Sequence, residues 1–176
     1  MSTLLVAAIP IGFIAISILL FIQSEDRKNR KHMNQFLTRF TELGSLNNLT
    51  FSSQEILQDV AIGLDGVHRK LLILRGSNKS TASAQLLHLS ELKSCSVKKQ
   101  YGPIHAVDLK KNKLEQYLQK LSLCFERKDN KEPVEIDFFH HNTSSAYSPE
   151  KLEKKAKNWE AIFSKILKYP TKEAAL

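Results

Sequence analysis

The chain has 176 residues, with 26 lysines and arginines, 18 aspartates and glutamates, and a formal net charge of +8. Beyond an apolar N-terminal segment, this length suits one globular domain and is short for two. Two cysteines are too few for a disulfide framework. The basic residues are spread among acids and are not interleaved with aromatics, which argues against a nucleic-acid-binding protein.

An uncharged and mostly apolar segment occupies residues 4–22. As a helix it would be roughly 28 Å long, close to the roughly 30 Å hydrocarbon core of a bilayer. No positive charge precedes it and no small-residue cleavage site follows it, so an anchor is favoured over a cleaved secretory signal. Its length also favours an anchor over a buried core helix. The sequence therefore predicts a transmembrane helix.

Four basic residues follow the predicted span closely. Lysine and arginine beside a span concentrate on the cytoplasmic side. They therefore predict a single-pass protein of the plasma or inner membrane, with its N-terminus outside and its C-terminal domain in the cytoplasm. Two acids, Glu25 and Asp26, lie directly before the cluster and offset half of its charge, so we expect it to set orientation and not to recognise a particular lipid. The four membrane-flanking residues are Arg27, Lys28, Arg30 and Lys31.

A juxtamembrane amphipathic helix and a linker are predicted for residues 23–59. Gly44 is the expected end of the helix, and Ser52 with Glu55 forms a capping pattern that allows one short helical turn in the linker. The apolar stripe of the helix could pack on the domain, lie on the membrane, or pair with a second copy to form a homo-oligomer. This stripe consists of Met33, Phe36, Leu37, Phe40 and Leu43.

Alternating apolar and polar residues predict six or seven antiparallel strands from residue 60 onward. A hairpin is predicted for VAIGLD and KLLILR, which flank an Asp-Gly turn, and another for KLSLCFERK and PVEIDFFHH, which flank a short polar turn. Two further candidate strands are AQLLHLSEL and KSCSVKKQYG, whereas residues 105–119 fit either a loop or a helical turn. The predicted fold class is mainly β.

A helix is predicted for the segment SPEKLEKKAKNWEAIFSKILK, with Ser148 as its cap and Pro149 as its first residue. One face is apolar and the opposite face carries lysines and glutamates, so the apolar face should dock on the sheet. A tail at 169–176 follows. The apolar face consists of Leu152, Ala156, Trp159, Phe163 and Ile166.

Six or seven strands closed by one amphipathic C-terminal helix resemble the pleckstrin-homology (PH) fold over residues 60–168. The resemblance is carried by the segments VAIGLDGVHRKLLILR, LHLSELKSCSVKK, LSLCFERKDNKEPVEIDFF and NWEAIFSKIL. It implies an antiparallel β-barrel or roll whose open end is plugged by the final helix, with Trp159 at the position of a core tryptophan. The chain is also similar to short, membrane-anchored bacterial proteins with PH-like domains.

Inositol-lipid binding does not follow from this resemblance. Phosphoinositide-binding members carry a lysine or arginine two residues before a final arginine of the first hairpin, whereas Ile73 stands two residues before Arg75 here. Three cations near the first hairpin remain as a possible ligand or partner surface. They are Arg69, Lys70 and Lys79.

Patterns typical of catalytic sites are incomplete in this sequence. A phosphate-binding loop ending at Lys79 would need glycines at the positions of Ile73 and Asn78. His140 and His141 are neighbours in a predicted strand, which directs their rings to opposite faces and disfavours a shared metal ion.

Glu135 and Asp137 lie two apart on a predicted strand and could act as a carboxylate pair, although their alternation with apolar residues favours a solvent-exposed face. Cys95 and Cys124 lie in predicted strands and should be reduced thiols in the cytoplasm. We therefore predict no enzyme activity and no cofactor or metal. The expected function is a membrane-tethered interaction or scaffold domain with an unidentified protein partner. The alternative is an accessory subunit of a membrane enzyme or transport complex.

Overall fold

The computed structural model describes residues 30–57, 59–76, 82–103, 117–142 and 148–168. Several predicted features lie outside the described residues: the span at 4–22, Arg27, Lys28, Lys79 and the tail at 169–176. Within the described ranges, neither helix combines the length and the apolar character that crossing a bilayer requires.

Seven strands form two antiparallel sheets in the described part of the chain. Sheet 1 consists of β1 (Ser53–Ile56), β2 (Val60–Asp65), β3 (Lys70–Arg75) and β4 (Ser83–His88), in this order. A short 3-10 helix at Leu89–Glu91 leads to sheet 2, which consists of β5 (Leu92–Tyr101), β6 (Leu118–Arg127) and β7 (Val134–His140). The helices are α1, residues 30–46, and α2 (Pro149–Lys168). The predicted mainly β fold with a C-terminal helix is confirmed.

The strands do not form the closed barrel that the resemblance implied, because no strand of sheet 1 pairs with a strand of sheet 2 among the described residues. Side chains satisfy backbone groups at the edges of sheet 2. Glu160 Oε1 of α2 accepts a hydrogen bond from the Val97 N–H of β5 at 2.8 Å. Arg75 Nη2 of β3 donates to the Glu135 carbonyl of β7 at 2.9 Å. These side chains thus form hydrogen bonds with edge backbone groups that a neighbouring strand would bind in a closed barrel.

α2 packs into the core that the two sheets share, mainly against β5, β6 and β7. The Phe163 ring meets Phe125 of β6 edge-on at a centroid distance of 4.8 Å and lies 5.6 Å from the Trp159 ring. The helix begins after Ser148, whose hydroxyl accepts a hydrogen bond from the Lys151 N–H at 3.4 Å. Of the predicted apolar face, the structure buries Leu152, Ala156, Trp159 and Phe163 and partly buries Ile166.

α1 covers the outer face of sheet 1, which is the first of the three alternatives left open by its apolar stripe. Phe40 of α1 stacks on Phe51 at a centroid distance of 5.0 Å. A β-carbon added to Gly63 of β2 would lie 2.5 Å from the Phe51 ring and 2.7 Å from the Phe40 ring. Gly63 therefore provides the space in which the two rings lie flat on the sheet.

Gly44 does not end α1, contrary to the prediction. The helix continues to residue 46, and the left-handed backbone conformation that follows is at Asn48, with φ of 50°. Gly44 is buried instead, and a β-carbon there would lie 2.9 Å from the Phe51 ring. Its small size serves packing and not helix termination.

The predicted helical turn after Ser52 is also wrong, because Ser53–Ile56 pairs with β2 as an edge strand. The Ser52 hydroxyl donates to the Leu64 carbonyl at 3.1 Å instead of capping a helix. Tertiary pairing with β2 has overridden a local capping pattern. Sheet 1 thus begins at Ser53, before residue 60.

Candidate functional site

The turn between β2 and β3 is organised around the buried carboxylate of Asp65. Its Oδ2 atom accepts a hydrogen bond from the Thr50 N–H at 2.8 Å and lies 2.8 Å from His68 Nδ1. Its Oδ1 atom accepts a hydrogen bond from the His68 N–H at 2.8 Å. The carboxylate therefore fixes the turn and ties it to the segment that follows α1.

Two opposing effects set the pKa of Asp65. Burial raises the pKa, because it penalises the charged form, whereas the hydrogen bonds from His68 and Thr50 and the His68 charge lower it. The second group dominates and lowers the pKa from 3.8 to about 2. Asp65 is thus a structural anion at neutral pH.

Arg69 connects this turn to the end of α2. Its backbone has φ of 52°, in the left-handed region that few non-glycine residues adopt. Its Nη2 atom donates to the Ile166 carbonyl at 3.1 Å, and its own carbonyl accepts from the Leu89 N–H at 2.9 Å. A cation at a helix C-terminus interacts favourably with the unpaired carbonyls there.

The last turn of α2 therefore lies beside the β2–β3 turn and adds two exposed lysines to it. Val67 is the most exposed side chain of the turn, at 81%. We call this region the turn surface. It consists of Val67, His68, Arg69, Lys165 and Lys168.

The predicted partner residues are only partly brought together. Arg69 and Lys70 are neighbours in the chain and both are half-buried. Arg69 belongs to the turn surface, whereas Lys70 lies on the same face of β3 as Leu72 and Leu74, which is the face that α1 covers. Lys79 lies outside the described residues, and the chain leaves β3 toward it at Gly76, on the opposite end of that strand from Lys70. Of the membrane-flanking cluster, Arg30 and Lys31 are described, and both are exposed in the first turn of α1 that the structure describes.

The carboxylates that alternate along β7 form surface ion pairs. Lys120 of β6 lies 3.2 Å from Glu135 and 3.0 Å from Asp137, and Lys98 of β5 lies 3.8 Å from Glu135. Their hydrogen bonds raise the pKa of Lys120. The pair therefore lies on the solvent-exposed face of sheet 2. No three His, Cys, Asp or Glu side chains of the described residues group so as to hold a metal ion.

Both cysteines are buried free thiols. Cys95 of β5 lies directly opposite Phe125 of β6, and Cys124 of β6 lies directly opposite Ser96 of β5, so the two cysteines belong to neighbouring cross-strand pairs. The side chains of neighbouring cross-strand pairs point to opposite faces of the sheet. The two thiols therefore cannot form a disulfide without rearrangement. Burial raises the pKa of the Cys95 thiol, which disfavours a reactive thiolate.

A groove between sheet 1 and the β6–β7 turn contains the guanidinium of Arg75. This side chain donates to Gln85 Oε1 at 3.1 Å as well as to the Glu135 carbonyl. Burial lowers the pKa of Arg75, although the nearby Asp137 raises it. Arg75 thus bridges the two sheets, which gives it a structural role.

Comparisons of the chain with models of protein families, with curated proteins and with solved structures found no match. The functional argument therefore depends on the residues themselves. The sequence indicated the Asp65–Gly66 turn and two of its cations, but not the two lysines of α2. Nothing in the sequence signals that Arg69 meets the end of a helix almost a hundred residues later in the chain.

Proposed function

We propose that the chain is a membrane-tethered, non-catalytic interaction domain with a PH-like arrangement of strands, held in the cytoplasm by residues 4–22. Four antiparallel strands, then three, then a C-terminal helix support the PH-like arrangement. Trp159 supports it further, because it is buried in the core at the position that the resemblance implied.

The observation that carries the tether proposal is the uncharged, apolar sequence of residues 4–22, and the docking of α1 on sheet 1 limits the distance between that segment and the domain. Only residues 23–29 separate the predicted span from residue 30 of α1. Seven residues reach at most about 25 Å when fully extended. A folded domain so close to a span is held at the membrane surface and does not sample a large volume. This arrangement suits a domain that must meet its partner beside the bilayer.

The ionic contacts of sheet 2 support an interaction role over a catalytic one. Glu135 and Asp137 are held by Lys120, and Glu153 of α2 is held by Lys99 of β5 at 2.7 Å. The hydrogen bonds of Lys157 and Lys99 lower the pKa of Glu153. A carboxylate with a lowered pKa is a poor general acid or base at neutral pH.

Cysteine labelling of the full chain in intact cells tests the tether. One variant carries an extra cysteine before Leu4 and another carries one after Leu176, whereas the unmodified chain reports the background from the two buried thiols. We expect an impermeant maleimide to label the first variant in intact cells and the second only after permeabilisation. Labelling in the reverse order, or recovery of the chain in the soluble fraction, would refute the proposal.

A further inference from the structure

Sheet 1 ends in an unprotected edge strand, β4. Edge strands of natural proteins are commonly short, charged, irregular or covered, because an open edge pairs readily with another strand. β4 has six residues with the sequence SAQLLH, without a lysine, arginine, acid or proline, and it pairs with β3 in unbroken register. Among the strands that the structure describes, β3 alone contacts β4 extensively.

The other three edge strands are protected. β1 has only four residues, and α2 holds its glutamate in an ion pair. The register of β5 shifts near both ends, and Glu160 of α2 binds the Val97 N–H. β7 carries two carboxylates and a shifted register, and Arg75 of β3 binds its Glu135 carbonyl. In the described part of the chain, β4 is therefore the edge best suited to accept another strand.

The residue after β4 shows which backbone groups the strand presents at its open edge. The Leu89 N–H donates to the Arg69 carbonyl at 2.9 Å, so this N–H points toward the β3 side. Backbone groups alternate between the two sides of a strand, and those of Ala84, Leu86 and His88 therefore point away from β3. The Ala84 and Leu86 backbone groups and the His88 N–H form no hydrogen bond with the described residues. Ala84 and His88 are exposed, so both ends of this edge are accessible.

The position of α1 indicates which strand this edge accepts. Two copies of β4 can pair antiparallel about a two-fold axis normal to sheet 1. Such an axis keeps each face of the sheet on its own side, so the α1 helices of both copies lie on one face of the joined sheet. Both tethers then leave from that face, as two chains anchored in one bilayer require; this step rests on the proposed membrane tether. Confinement to the bilayer also raises the local concentration of the chain, which favours a small interface between copies.

The side chains of β4 favour one register for this pairing. Leu86 lies on the α1 face of sheet 1 and is only partly buried, so an axis through Leu86 places it against Leu86 of the second copy. An axis through Gln85 would instead bring two Arg75 guanidiniums together, because Arg75 Nη1 donates to Gln85 Oε1 at 3.1 Å. In the Leu86 register, Ala84 of each copy lies opposite His88 of the other.

We propose that the chain forms a homodimer in the membrane by antiparallel pairing of β4 with β4 of a second copy, centred on Leu86. Sheet 1 of the two copies becomes one continuous sheet, covered on one face by the two α1 helices. The open backbone edge selects a strand as the partner. The shared direction of the two tethers selects a second copy over an unrelated segment.

Disulfide cross-linking between two variants of the full chain in membranes tests the pairing. Ala84→Cys and His88→Cys change exposed side chains that the proposed register places opposite each other in different copies. Opposite residues of a hydrogen-bonded pair have Cα atoms about 5.5 Å apart, within the range for a disulfide. In membranes that contain one variant only, the two thiols are offset by four residues, or roughly 14 Å. Copper phenanthroline should therefore give about fivefold more cross-linked dimer with the mixture than with either variant alone.

Gln54→Cys, at an exposed position of the edge strand on the other side of sheet 1, is the control for random collision. Mixed with Ala84→Cys, it should give no more dimer than a single variant. The unmodified chain reports the background from the two buried thiols. Equal cross-linking in all mixtures, or cross-linking of Ala84→Cys alone at the level of the proposed pair, would overturn the proposal.

Charged side chains at the same two positions test the pairing without a covalent bond. Ala84→Lys with His88→Lys places lysines opposite each other, whereas Ala84→Lys with His88→Glu places opposite charges there. Energy transfer between donor- and acceptor-labelled full chains in phosphatidylcholine vesicles, diluted with lipid, should show dimerisation about tenfold weaker for the first variant. Equal dimerisation of the two variants, or a parent chain that is monomeric at every dilution, would overturn the proposal.

Unfolding midpoints measured for each variant separate loss of pairing from loss of fold. If the charged side chains lower the midpoint, the cysteine variants decide, because they add no charge to the strand. The labelling experiment that tests the membrane tether does not depend on dimerisation. Correct labelling without the mixed cross-link would therefore refute this inference alone, and reversed labelling would refute the tether whether or not the cross-link forms.

Discussion

α2 packs into a core that both sheets share, whereas α1 covers the outer face of sheet 1 alone. The α2 contact is made by large side chains, with Trp159 and Phe163 inserted toward Phe125. The α1 contact depends on the absence of side chains, because Gly44 and Gly63 leave room for the Phe51 ring between helix and sheet. α2 therefore completes the core with large side chains, whereas α1 docks where two glycines leave room for an aromatic ring.

This difference predicts how the packing of each helix responds to mutation. The core stabilises the whole domain. Removing a large side chain of α2 leaves a cavity in that core and therefore destabilises the domain as a unit. Adding a single methyl group beneath α1 creates a clash at a surface that one helix covers. Mutations beneath α2 should therefore unfold the domain, and mutations beneath α1 should release the helix that joins the domain to its predicted anchor.

Trp159→Ala should have the largest effect, because it removes a buried indole from the side chains that fill the core. We expect a loss of about 3–5 kcal/mol in the free energy of unfolding, measured by urea denaturation. Asn158→Ala, at the exposed neighbouring position, is the control and should stay within about 0.5 kcal/mol of the parent. A loss below about 1 kcal/mol for the tryptophan variant would contradict the packing role of α2.

Gly63→Ala should release α1, because the added methyl group would lie 2.5 Å from the Phe51 ring. We expect a loss of about 1–3 kcal/mol, with faster hydrogen exchange of the α1 amides than of the α2 amides. Combining it with Phe51→Leu should recover part of the loss, because the clash with the Phe51 ring is removed and the one with the Phe40 ring, at 2.7 Å, remains. Gly66→Ala, whose nearest contact is the Ser52 hydroxyl at 3.1 Å, is the control. Equal acceleration in both helices would mean that α1 and α2 unfold as one unit.

The sequence predicts α2 well because every feature of that helix is local. Ser148, Pro149 and an apolar face at helical spacing are all found within the helix itself and its cap. The hairpins were predictable for the same reason, since alternation and turn residues lie in consecutive segments. β7 departs from strict alternation: Phe138 and Phe139 are both buried, because the register shifts between Leu121 and Ser122 of the neighbouring strand.

The sequence predicts α1 less completely because its docking depends on residues elsewhere in the chain. An apolar stripe shows that a helix must cover something, but not what it covers. The decisive residue is Gly63, which looks like an ordinary interruption of the strand pattern in VAIGLD. Gly44 was misread for the same reason, since its packing role appears only beside Phe51. The turn surface likewise combines segments that are distant in sequence, so only its β2–β3 part was predicted.

Asp65→Asn should have a smaller effect that depends on pH. The carboxylate joins the end of α1 to sheet 1 through Thr50, so its loss tests the link between the two regions compared above. Because the pKa of Asp65 is lowered from 3.8 to about 2, its charge stabilises the fold above pH 4, and this contribution is lost as the pH falls toward 2. The difference between parent and variant should thus be about 2 kcal/mol at pH 7 and should shrink between pH 4 and pH 2.

Asp129→Asn provides the matched control for this pH dependence. The Lys131 and Arg127 side chains lower the pKa of Asp129 to about 2 as well, but its side chain is 38% exposed in the β6–β7 turn. Its contribution should be smaller and should disappear in high salt, because solvent and ions screen exposed pairs. The contribution of Asp65 should persist in high salt, because its partners meet a buried oxygen. If salt reduced both contributions equally, the Asp65 contacts would not hold α1 to the turn as the structure indicates, and α1 would dock through its aromatic contacts alone.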